Sequence, residues 1–143
     1  MANGVKLMKG ILQQVGEYFR TRWRMNRPGY FTAFAPYLAI AFVAAAADFW
    51  STYSAMLSEG VDTELHPAIR LASHVLGPFL GPLVGKLIQY AALIAATILW
   101  RPYARIIFVP VIVLYLYAAW FNLWGNELYT PLFVKLLIRF TGG

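Results

Sequence analysis

The sequence predicts an all-α polytopic membrane protein, with three transmembrane helices and an amphipathic surface helix at each end. Three observations carry that expectation. Of 143 residues, 60% are hydrophobic and only 13% charged, against about 25% charged in soluble domains. Apolar runs at about 35–57, 78–100 and 106–124 are each long enough, at 1.5 Å per residue, to cross a hydrocarbon layer of about 30 Å. Charge is also segregated: six of the twelve basic residues precede Pro28, accompanied by a single acid, Glu17.

That clustering accounts for the net charge of +6 through a membrane surface, so no nucleic-acid partner is expected. The chain has no cysteine, which excludes disulfides, thiol catalysis and thiolate-held metal or iron–sulfur sites. The first thirty residues lack the apolar core and cleavage site of a secretory signal, and they are expected to stay in the mature protein.

Residues 1–29 form the first unit. Val5, Met8, Leu12, Val15, Phe19 and Trp23 recur at three- and four-residue spacing, which places them on one face of a helix. Lys6, Lys9, Arg20, Arg22, Arg24 and Arg27 supply the basic character. Such a helix lies on an anionic cytoplasmic leaflet, each basic residue contributing about 1 kcal/mol of attraction, or docks on a partner protein.

Arg27-Pro28-Gly29 breaks the helix, and Tyr30, Phe31, Phe34 and Tyr37 are expected to form an aromatic collar at the interface. Residues 30–143 make the membrane domain. Its first span, 35–57, carries Ala41, Ala44, Ala45, Ala46 and Ala47, small side chains that admit a neighbouring helix closely. The basic flank before it and the acidic loop after it (Glu59, Asp62, Glu64) place the N-terminus in the cytoplasm of a bacterial inner membrane and the loop outside.

The second span starts less cleanly. Pro67 suits a first helical position, but Gly77-Pro78 and Gly81-Pro82 interrupt the helix it would start. Either 67–76 is a re-entrant half-helix before a later span, or one kinked helix covers both. Trp100 to Arg105 reads as a basic cytoplasmic turn. A third span, bent at Pro110, ends in an aromatic belt of Tyr115, Tyr117, Trp120, Trp124 and Tyr129. Residues 131–140 read as a short interfacial helix, too short to span, which leaves the C-terminus outside.

Asp48 is the residue that raises a functional question, because a carboxylate within lipid costs roughly 2.5–3.5 kcal/mol or more unless paired. Lys86 in the second span lies at nearly the same depth if that span enters near Leu76. Ser51 and Thr52 flank the pair and could satisfy remaining carboxylate lone pairs. Such a pair fixes the register of two helices, builds a proton, ion or substrate site, or receives a partner's charge. Glu64, His66 and His74 form a loop cluster on the outer side. Their spacing matches no metal motif, and no metal or cofactor is expected. Glu64 suits the positive start of the Pro67 helix. Asn122 and Glu127 are expected to bond between helices.

No Walker loop, nucleophile elbow, dinucleotide fingerprint or haem motif occurs, so no enzymatic activity is expected. From Asp48 to Lys86, about a quarter of the chain, the sequence resembles an uncharacterised family of small prokaryotic membrane proteins. That family's pattern is Asp-x-x-Thr-Thr in a first helix, then Gly and Glu-x-Asn-Pro in a loop, then a Lys in the second helix. Here Asp48, Ser51-Thr52, Gly60, Glu64-Leu65-His66-Pro67 and Lys86 occur in that order, with Ser51 for the first Thr and His66 for Asn. The resemblance implies that these residues work together and carries no assigned activity.

The expected function is that of an accessory or assembly subunit of a larger membrane complex, packing through alanine-rich and aromatic faces against other subunits or copies of itself. A small oligomeric transporter or channel using Asp48 and Lys86 is the alternative.

Overall fold

The computed structural model describes residues 2–64 and 66–128, and their side chains apart from 2–7, 59, 63 and 124–128. Among these, α1 (Ala2–Asn26), α2 (Tyr30–Glu59), α3 (Pro67–Leu99) and α4 (Ala104–Leu128) succeed one another, with short 3-10 turns at Val61–Thr63 and Arg101–Tyr103. Three stretches, Ala35–Ser58, Pro67–Leu99 and Arg101–Leu123, are helical, long and apolar enough to cross a membrane. The fold is all-α and polytopic. The expected C-terminal helix at 131–140, Tyr129, and the side chains of Lys6, Trp124 and Glu127 lie outside the described residues.

α1 ends at Asn26 and α2 begins at Tyr30, with Gly29 between them at φ 67°, a left-handed conformation that glycine adopts without a Cβ clash. The apolar face of α1 meets the rest of the chain only near its end. Leu12 is 63% exposed, while Phe19 packs edge-on against Trp100 and Trp23 joins the core. Arg101 Nη1 donates to the carbonyls of Asn26 and Pro28 at 2.9 and 2.8 Å. Asn26 Nδ2 donates to the Leu99 carbonyl at 3.1 Å. The α1–α2 turn and the α3–α4 turn are thereby tied together, and the basic residues of both gather at one end.

α2 and α4 run parallel. Phe34 packs on Phe108, Ala44 and Ala45 on Tyr115, and Ser51 bonds to Asn122, pairs advancing in step along both helices. Ala41, Ala44 and Ala45 are buried, and with no hydrophobic drive between helices in lipid, such small faces let packing forces act at close range. Where an interfacial collar was expected, Tyr30 and Phe34 are buried and Tyr37 half-buried in a core with Phe108, and Phe31 alone of the four is exposed. The reason is register: α2 starts at Tyr30, so positions 30, 34 and 37 fall on its inward face. Tyr115, expected in a belt, is likewise buried.

α3 takes the first of the two alternatives for the second span. Gly77 has φ 87° and ψ 168°, and an ideal Cβ on Gly81 would fall 2.5 Å from the Ser73 Cα, while one on Gly85 would fall 3.1 Å from Ile69 Cγ1. In a straight helix residues eight and sixteen apart are separated by about 12 and 24 Å. Contacts placed symmetrically about Gly77 therefore define a hairpin. The short limb, 67–76, folds back along the long limb, 78–99, as the re-entrant alternative has it, and the long limb occupies the expected 78–100 span. Gly77, Gly81 and Gly85 recur every four residues, giving the smooth stripe that close helix contact needs.

Candidate functional site: a cavity at the Asp48–Lys86 pair

The long limb of α3 runs antiparallel to α2. Tyr30 bonds to Thr97, Tyr90 Oη donates to the Leu38 carbonyl at 2.9 Å, and Lys86 Nζ donates to Asp48 Oδ2. Asp48 lies eleven residues before the end of α2 at Glu59, about 16 Å of helical rise. Lys86 lies nine residues past the Gly77 turn, about 13 Å. The expected pair is formed, and both side chains are withdrawn from the surface, at 3% and 12% exposure.

Its surroundings differ from expectation in one respect. Thr52 Oγ1 reaches the second carboxylate oxygen only at 3.5 Å, and Ser51 Oγ donates instead to the Asp48 backbone carbonyl at 3.0 Å. One turn of helix puts a serine at i+3 within reach of that carbonyl, so Ser51 is unavailable to the carboxylate. Asn122 Nδ2 from α4 donates to Ser51 Oγ at 3.2 Å and to Thr52 Oγ1 at 3.0 Å, as an interhelical partner should. Tyr115 presents its ring 5.3 Å from Lys86 Nζ, a second seat for the ammonium.

The pair borders a cavity of about 690 Å³ between α2, α4 and the short limb. The hairpin explains its lining. Because Ile69 packs at Gly85, the start of the short limb lies near the level of Lys86, and the segment after Gly60 must descend to reach it. Glu64 and His66 thus line the same cavity as Asp48, Thr52, Lys86 and Asn122. Glu64 Oε1 accepts from the His66 amide at 2.8 Å, at the limb's start as expected. His74 separates from this group: its Nε2 lies 3.0 Å from Asp62 Oδ1, with half of the imidazole exposed. The expected loop cluster is therefore divided, and among the described residues no three His, Asp or Glu side chains gather as a metal-binding group.

Gln89 is a site residue that the sequence reading misses. It lines the cavity one turn beyond Lys86, and its Oε1 is buried without a hydrogen-bond partner. Its position at i+3 from Lys86, the face already turned toward Asp48, is the available signal. Glu64, Asp62 and Gln89 thus add acceptors to a mostly apolar wall, while Lys86, the one Lys or Arg among the described lining residues, is engaged by Asp48. The basic residues assigned to lipid sit elsewhere, along α1 and at the turn after it, where Lys9, Arg20, Arg22, Arg24 and Arg27 are exposed. Arg22 also rests 5.4 Å from the Tyr18 ring. No protein-family model, curated protein or solved structure matches the chain.

Proposed function

We propose that this protein is the protomer of a small oligomeric membrane transporter or channel that takes a small cation through the Asp48–Lys86 site. One observation carries the reading: the buried pair opens on a cavity of about 690 Å³ whose otherwise mostly apolar wall also carries Asp62, Glu64, Gln89 and Asn122. An ion pair serving only to fix helix register is better closed off by packing, since every exposed polar face within lipid is costly. A cavity offering the Glu64 carboxylate and the unpartnered Gln89 carbonyl oxygen favours a ligand that donates hydrogen bonds and carries positive charge, such as a protonated amine. The cation competes with Lys86 for Asp48, and the displaced ammonium finds the face of Tyr115 close by. Five of the residues that carry the family resemblance, Asp48, Thr52, Glu64, His66 and Lys86, line this one cavity, which supports reading them as a working unit. The protein then acts without chemical catalysis, in the inner membrane, with its basic end in the cytoplasm.

A second reading is favoured by a separate feature. Ala39, Ile40, Val43, Ala44 and Leu116 line an almost wholly apolar groove of about 270 Å³, small-sided enough for another subunit's helix, as an accessory or assembly role requires. Flux of methylammonium and of protons into proteoliposomes distinguishes the two. Asp48→Asn combined with Lys86→Met, which leaves no buried charge uncompensated, should abolish flux while the purified oligomer stays intact. Loss of assembly with no flux in the unaltered protein would instead establish the subunit role.

A further inference from the structure

At the basic end a second cavity, about 410 Å³, lies between the α1–α2 turn and the start of α4, lined by Asn26, Ala33, Phe34, Arg101, Pro102 and Arg105. Its described lining holds two guanidinium groups and no carboxylate. Among the described residues the ion pairs are Asp48–Lys86 and Asp62–His74, both remote from it. Arg101 is anchored through Nη1 by the carbonyls of Asn26 and Pro28, so its charge is held at the cavity wall. Arg105 is exposed in the first turn of α4.

We propose that this cavity binds the phosphate of an anionic phospholipid, held between Arg101 and Arg105. Guanidinium donors match phosphate oxygens in geometry as well as charge. The first turns of α2 and α4 both reach the cavity and contain no acidic residue, so nothing there opposes an anion. A lipid rather than free phosphate is indicated by what lies beside the arginines. Ile106 and Val109 are 71% and 54% exposed, and Val109 sits one turn from Arg105 on the same face, toward the middle of the span. A headgroup at the arginines therefore lays its acyl chains along α4. Basic pockets at the ends of spanning helices are a recurrent way of holding such headgroups. This site is local, unlike the diffuse attraction along α1, and is independent of the Asp48 cavity.

Native mass spectrometry of the full-length protein, titrated in a neutral detergent with phosphatidylglycerol or phosphatidylcholine, tests the assignment. Phosphatidylglycerol should be retained at least tenfold better than phosphatidylcholine. Arg105→Gln should remove most of that preference, Arg105→Lys should keep part of it, and Arg70→Gln, at an exposed position on the short limb of α3, should leave it unchanged. Thermal melting of each variant verifies the fold. An equal loss in Arg70→Gln would overturn the local site in favour of general attraction. Displacement of the bound lipid by millimolar inorganic phosphate alone would overturn the lipid assignment.

Discussion

Ser73 rests its backbone directly on Gly81, and this contact holds the short limb of α3 against the long one. Any side chain at position 81 meets backbone, which cannot swing aside. Gly81→Ala is expected to destabilise the protein by about 1–3 kcal/mol through overpacking. Gly85→Ala, whose new methyl would meet only the Ile69 side chain at 3.1 Å, should be milder. Denaturant titration of the detergent-solubilised variants gives the order, and equal losses at 81 and 85 would contradict the hairpin packing.

The Asp48–Lys86 pair makes a signed prediction. Removing one partner leaves a buried charge without compensation, which typically destabilises by about 3–5 kcal/mol. Lys86→Met should show such a loss, and adding Asp48→Leu should recover most of it. If the double variant is as unstable as the single, the carboxylate is solvated in the folded protein and the pair is not its main stabiliser.

Spans, loops and the pair itself are legible in the sequence because each rests on one-dimensional arithmetic: apolar run length, charge segregation, and residues counted inward from helix ends. The hairpin is not, because Gly77, Gly81 and Gly85 signal a helix break and a close-contact stripe equally well. Choosing between them needs the opposite face, Ile69 and Ser73, whose role appears only when the chain folds back. The descent of Glu64 and His66 into the cavity results from that fold-back and is hidden with it. Tyr30 and Tyr115 mislead for a different reason. Aromatic residues near span ends serve interfaces and cores alike, and only helix register separates the two.

Tyr30 also supplies a test of buried polar packing. Thr97 Oγ1 lies 2.7 Å from the Leu93 carbonyl and donates to it, so the Tyr30 hydroxyl must be the donor to Thr97. Tyr30→Phe then removes a donor and is expected to cost about 1 kcal/mol. Thr97→Val leaves the Tyr30 hydroxyl buried without an acceptor and should cost more, about 1–3 kcal/mol. Denaturation midpoints of the two variants check the order. A milder Thr97→Val would mean that the tyrosine finds another acceptor.

Arg101 ties α1 to the membrane domain through two backbone carbonyls, so its loss should act on the α1–α2 turn before it acts on the bundle. The carbonyls of Asn26 and Pro28 flank Arg27, whose amide donates to the Trp23 carbonyl at 3.0 Å and whose carbonyl accepts from the Tyr30 amide at 3.1 Å. Without the guanidinium, those two turn bonds are held chiefly by Asn26 Nδ2 on Leu99. Arg101→Leu is expected to speed hydrogen exchange of the Arg27 and Tyr30 amides by about tenfold, equivalent to about 1.4 kcal/mol, a modest value suited to a half-exposed charged donor. Amides around Asp48, several turns deeper, should keep their protection. Uniform loss of protection along α2 would show instead that the clamp supports the whole bundle.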